Sequence, residues 1–152
     1  MSPKKIIFVC TGNTCRSPMA AAMAAPLFAE AGLTVEIFSA GVNAMPNQPA
    51  SRHAITVMEE DGLCLLSHRA AIVSEDILDN AWLVLTMTDR HRAVLLSDYP
   101  KARDMVFTLS EYIGEAADIA DPFGGDVEEY RTCAAQIKAM LLRVVEKIKQ
   151  TN

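Results

Sequence analysis

Cys10 and Arg16 enclose five residues in the segment Cys10-Thr11-Gly12-Asn13-Thr14-Cys15-Arg16-Ser17. A thiol and a guanidinium at that spacing suit the capture of a phosphate group when the chain between them curls and aims its backbone N–H groups inward. Arg16 then offers a planar fork that matches two phosphate oxygens. Positive potential at the same place favours the Cys10 thiolate, the nucleophilic form of cysteine. Ser17 is placed to donate a hydrogen bond to the sulfur, and Gly12 to ease a tight turn. Cys-x5-Arg alone recurs by chance, and a cysteine ending a buried strand is often inert core. The elements on either side decide between the two readings.

Lys5 to Cys10 is a continuous β-branched and aromatic run, the pattern of a strand buried on both faces. Ser17-Pro18 reads as a helix start, with Ser17 the candidate cap and a helix through Met19 to Ala31 that Pro26 could kink. Further strands are expected at Thr34 to Ala40, Ala81 to Met87 and Met105 to Thr108. Helices are expected at Asn47 to Asp61, Asp89 to Ser97 and Asp126 to Lys149, with loop and a short helix between Ser67 and Leu78. Strand and helix alternate throughout, which predicts a doubly wound α/β sheet with right-handed crossovers. Gly114 to Gly125 forms a long loop of the kind that often carries function. On the last helix Val127, Tyr130, Ala134, Ile137, Leu141, Val144 and Ile148 make one apolar stripe, expected to pack on the sheet rather than in a coiled coil.

At 152 residues, 51% apolar and 22% charged, the chain suits a single globular domain over 1–152. Its net charge of -5 argues against nucleic-acid binding. No segment reads as a signal peptide or membrane span, so a cytoplasmic location is expected, with no membrane partner. The four cysteines suit neither a disulfide scaffold nor a zinc site, and Cys64 and Cys133 read as packing thiols. His53 and His91 read as surface or helix residues.

Ile7 to Met19, Ser39-Ala40-Gly41, Ser67-His68, Leu83 to Thr88 and Asp121-Pro122-Phe123 together resemble, in order, the low-molecular-weight protein tyrosine phosphatases. The resemblance implies a three-layer fold, a four-stranded parallel sheet in the order 2-1-3-4 with helices on both faces. It implies no metal or other cofactor, phosphorylated proteins as substrates, and a monomer working through a cysteinyl-phosphate. By matching position, Asp121 is the general acid and then the base, a role that Asp-Pro alone would not suggest. Residues Thr11 to Ser17, that is Thr11, Gly12, Asn13, Thr14, Cys15, Arg16 and Ser17, bind the phosphate. Asn13, Ser39 and His68 support the loop, with Asn13 at positive φ.

Within the family, tyrosine phosphatases usually carry a branched aliphatic residue in place of Thr14 and an aromatic pair after Asp-Pro. Thr14 with Asp121-Pro122-Phe123-Gly124-Gly125 resembles instead the protein arginine phosphatase branch, which makes Thr14 and Phe123 specificity residues. Hydrolysis of phosphoarginine on proteins is therefore expected, with phosphotyrosine the alternative. Cys15 is expected as a redox partner that could close a reversible disulfide with Cys10. Arsenate reductases share the loop but need two further cysteines close together, which Cys64 and Cys133 do not supply. A phosphate-sensing module without turnover would have no need of an acid at Asp121.

Overall fold

A computed structural model describes residues 3–151. Its frame is a four-stranded all-parallel sheet in the order β2-β1-β3-β4, formed by β1 (Lys4–Cys10), β2 (Val35–Gly41), β3 (Ala81–Thr86) and β4 (Val106–Thr108). The expected strand order holds. β1 is central, and Ile6 through Val9 are wholly shut off from solvent. Their side chains alternate between two apolar clusters, as period-two geometry requires. Ile6 and Phe8 join α1 (Arg16–Glu30), α2 (Arg52–Glu60) and α6 (Val127–Thr151) on one face. Ile7 and Val9 join residues of α3 (Glu75–Leu78) and α4 (Asp89–Asp98) on the other.

The stripe on α6 is spent within the chain: Tyr130, Ala134, Ile137, Leu141, Val144 and Ile148 are buried in the cluster that includes α1 and α2. A short helix, α5 (Leu109–Tyr112), follows β4 directly and was not legible from periodicity. Its start is a capping box, with Thr108 accepting from the Glu111 N–H while the Glu111 carboxylate accepts from the Thr108 N–H.

Two helix starts differ from expectation, and both differences serve the site. α1 begins at Arg16 with Cys15 at its cap position, and no side chain caps it. Ser17 instead turns inward, which leaves the first N–H groups of α1 uncapped by any side chain. The helix runs on through Pro26. α2 begins at Arg52 rather than near Asn47, because Ser51 caps it by accepting from the Ala54 N–H and Asn47 sits at φ 72°. The freed segment 42–50 becomes wall: Asn43 N–H donates to the Thr11 carbonyl and Ser51 N–H to the Thr14 carbonyl, each at 2.9 Å.

Candidate active site

β1 delivers Cys10 at its end, α1 presents Arg16 at its beginning, and residues 11–15 arch between them. The Cys10 sulfur, 3% exposed, lies 2.9 Å from Ser17 Oγ and accepts from the Asn13 N–H at 3.3 Å. Asn13 is the hub of the arch. It adopts φ 56°, a region that asparagine tolerates better than most residues. Its Nδ2 donates to Ser17 Oγ at 2.8 Å and to Ser39 Oγ at 2.9 Å, its Oδ1 accepts from the Ala71 N–H at 2.9 Å, and its carbonyl accepts from His68 Nε2 at 2.7 Å. Because Ser17 Oγ already accepts from Asn13, its own proton is available to the sulfur. The structure thus brings Asn13, Ser17, Ser39 and His68 together as expected.

The glycine that the arch depends on is Gly41 rather than Gly12. A Cβ at Gly12 would meet nothing closer than Thr14 Oγ1 at 3.8 Å. At Gly41, paired with Cys10 across the sheet, a Cβ would lie 2.4 Å from the Thr11 carbonyl oxygen and 3.0 Å from the Asn13 nitrogen. Only a residue without a side chain lets β2 approach the arch this closely.

Arg16 is 4% exposed, and its guanidinium is fixed by a 2.8 Å bond from Nη1 to the Ile119 carbonyl. Its Nη2 lies 3.5 Å from Asp121 Oδ2, while Asp121 Oδ1 accepts from the Phe123 N–H at 3.1 Å. The loop that bears Asp121 is anchored by Ile119, 1% exposed, whose N–H donates to the Met87 carbonyl at 3.0 Å. Cys10, Thr11, Gly12, Thr14, Cys15, Arg16, Gln48, Asp121 and Phe123 line one cleft of about 230 Å³. All the residues expected to react or to choose substrate therefore face one space.

Burial is the largest influence on the Cys10 thiol and pushes it up, while hydrogen bonds from Ser17 and Asn13 and the Arg16 charge pull it down. The balance leaves the thiol raised above its ordinary value, which corrects the depressed thiol expected from sequence. The Cys15 sulfur lies 3.2 Å from the Tyr130 hydroxyl and 3.4 Å from Ser51 Oγ, and all four cysteines are free. Burial, then the bond with Cys15, pushes Tyr130 up to about 12.

Sequence reading misplaced Cys64, placed His91 on its helix without its contact to the arch, and missed other residues. Cys64 is exposed rather than packed, whereas Cys133 is buried. His91, read as a surface or helix residue, is 3% exposed and bonded to Thr11 of the arch at 2.8 Å. Gln48 and Gly41 were not singled out for the site; the Ser39-Ala40-Gly41 motif at a strand's end was the only signal pointing at Gly41.

A Cys-x5-Arg arch between strand and helix, faced by a carboxyl group from a separate loop, is the arrangement of a phosphate-handling centre. The chain belongs to the low molecular weight phosphotyrosine protein phosphatase family, whose model matches residues 5–152. It is 40% identical over 146 residues to a protein-arginine-phosphatase of Bacillus subtilis, covering 95% of this chain and 97% of that one. It is 38% identical over 148 residues to the low molecular weight protein-tyrosine-phosphatase PtpB of Staphylococcus haemolyticus, covering 97% and 99%. Its fold matches a structure of the arginine phosphatase YwlE, a cysteine-to-serine mutant with a phosphorylated active-site serine. The TM-score is 0.93 at 40% identity, over 95% of each chain.

Proposed function

We propose that this chain is a protein arginine phosphatase working through a cysteinyl-phosphate. The observation that carries the reading is the convergence of Cys10, Arg16 and Asp121 on one cleft with Thr14 in its wall. The 40% identity to a named arginine phosphatase and the phosphoserine-bearing YwlE structure support it. Cys10 attacks phosphorus as a thiolate, forming the S–P bond as the P–N bond breaks. Arg16 and the arch N–H groups hold the equatorial oxygens. Asp121 gives its proton to the departing guanidino nitrogen, so that neutral base and not an anion leaves. Its carboxylate then takes a proton from water, which attacks phosphorus and breaks the S–P bond; the hydroxyl of Ser17 receives the returning thiolate.

In this structure Arg16 is partly engaged by Asp121. A phosphoryl group takes over the guanidinium fork and releases the carboxyl group toward the leaving atom. Thr14 places a hydroxyl beside the arch, suited to a polar guanidinium or to the attacking water. We propose that the enzyme acts on phosphorylated proteins, in the cytoplasm and as a monomer. In keeping with this, among the described residues no helix is long and apolar enough to cross a membrane.

Phosphotyrosine hydrolysis is favoured by one observation, Phe123, 72% exposed at the mouth where it could stack on a phenyl ring. The two substrates are separated by comparing hydrolysis of phosphoarginine and phosphotyrosine proteins by the wild type and Thr14→Ile. The substitution is expected to lower the arginine-to-tyrosine ratio of kcat/KM about tenfold, as one polar contact is exchanged for an apolar wall. An unchanged ratio would remove Thr14 from the argument for arginine.

A further inference from the structure

His91 is nearly sealed from solvent, yet both of its ring nitrogens have partners. Nε2 lies 2.8 Å from Thr11 Oγ1, and Nδ1 lies 3.1 Å from Thr88 Oγ1. Thr88 caps α4, its Oγ1 accepting from the His91 N–H at 3.3 Å. Of the two partners of Thr88 Oγ1 only Nδ1 can accept, so the network is satisfied with the Thr88 proton donated to Nδ1 and the ring proton on Nε2. Nε2–H therefore donates to Thr11 Oγ1. The neutral ring fits this network: burial first, then Arg16, lowers His91 to about 4 against the opposing pull of Asp118 and Asp121, with Arg90 adding to the lowering.

The consequence falls on Thr11. It is the first residue of the arch, exposed, and lines the cleft beside Cys10. With one lone pair occupied by His91 and its carbonyl occupied by the Asn43 N–H, the Thr11 side chain keeps its O–H and one further lone pair uncommitted. A freely turning hydroxyl would spread that proton over three rotamers; the imidazole removes the inward-facing one.

We propose that His91 is a positioning residue that aims the Thr11 hydroxyl proton into the cleft, where it meets the part of the substrate that carries the phosphate. The proposal rests on the phosphatase reading. Thr11 lies at the exposed end of the arch, whereas Asn13, Arg16 and Ser17 at its base are buried. Its hydroxyl therefore contacts the group beyond phosphorus, and the phosphoryl oxygens belong to the N–H groups and Arg16.

The test compares wild type, His91→Phe, His91→Gln, Thr11→Val and the His91→Phe/Thr11→Val double variant with a phosphoarginine peptide. The competing ligand is inorganic phosphate. His91→Phe and Thr11→Val are each expected to raise KM for the peptide about fivefold while leaving inhibition by inorganic phosphate unchanged. The double variant is expected to match the single ones, because both break the same contact. His91→Gln, which keeps an N–H at a similar reach, is expected to recover most of the loss. If phosphate inhibition weakens in step with KM, His91 merely holds the arch and the proposal is wrong. Unchanged KM in the single variants also overturns it. Should the wild type itself fail to release phosphate from any phosphoprotein, the phosphatase reading fails instead.

Discussion

The arch of residues 10–17 and the loop around Asp121 face each other across one cleft, and they are built on opposite terms. Cys10, Asn13, Arg16 and Ser17 are all below 5% exposed, and Asn13 alone is held by five partners from three parts of the chain. Across the gap the Asp121 side chain is 49% exposed and Phe123 72%. Ile119 is pinned, but two residues further on, among the described residues, Asp121 is held by one backbone N–H and a long ion pair. Phosphate is the part of the substrate that never varies, so its cradle can be rigid and organised before binding. On the proposed mechanism, Asp121 as the acid must reach leaving groups on proteins of varied shape and let product depart, which calls for a looser mounting.

Separating capture from proton delivery would show the largest effect. Cys10→Ser is expected to abolish steady-state turnover, a loss of about 10⁴-fold or more, because a serine oxygen attacks more weakly than a thiolate and leaves phosphorus far more reluctantly. Asp121→Asn should cost about 10²- to 10⁴-fold in kcat while leaving inhibition by inorganic phosphate close to wild type. Phosphate release measured by single-turnover and steady-state assays reads both. Loss of phosphate binding in Asp121→Asn would mean that the two sides are one structural unit and the contrast is false.

A pair of glycines tests the same contrast with a smaller effect. Gly41 meets the arch backbone, where a Cβ would approach the Thr11 carbonyl to 2.4 Å. Gly124 follows Phe123 at φ 84° with nothing within 4 Å of a Cβ. Gly41→Ala must displace backbone, so an activity loss of about 10²-fold and a destabilisation of about 1–3 kcal/mol are expected. Gly124→Ala meets only the conformational cost of a left-handed residue, about 1 kcal/mol, with activity changed by less than about threefold. Chemical denaturation and kcat/KM on both variants decide. Equal activity losses would show the acid loop to be as sharply positioned as the arch.

The same contrast governs what was legible in the sequence. The arch could be read because its function is written in consecutive residues, from the strand ending at Cys10 to the helix opened by Ser17-Pro18. The doubly wound layering followed from alternation, whereas strand order followed only from the family resemblance carried by the separated motifs. What could not be read lies in contacts between distant segments. Gly41 matters because β2 sits in register with β1, and His91 matters because α4 places its first turn behind Thr11. Neither neighbour is near in sequence, and a histidine three residues after a Thr cap looks the same whether its ring is buried or solvated. Ser17 was misread as a cap for a related reason: local propensity favours capping, but the sulfur and Asn13 compete for the same hydroxyl. Asp121, on the loose side, carried almost no local signal and was found through family resemblance alone.

The smallest expected effect tests how completely His91 is shut away on the rigid side. Its value near 4 in the fold lies below the 6.5 of a free histidine, so the folded protein resists the proton that the unfolded chain accepts. Above pH 6.5 both states are neutral at this residue and it adds no pH dependence. As pH falls from 6.5 to about 4 the unfolded state alone is protonated, and stability drops across that window by at most about 3 kcal/mol before levelling below it. His91→Gln has no proton to gain there. Urea denaturation of the two proteins from pH 7 to pH 4 should therefore show the wild type losing stability relative to the variant. Parallel curves would mean that water reaches the imidazole and that the wall behind Thr11 is as open as the loop around Asp121.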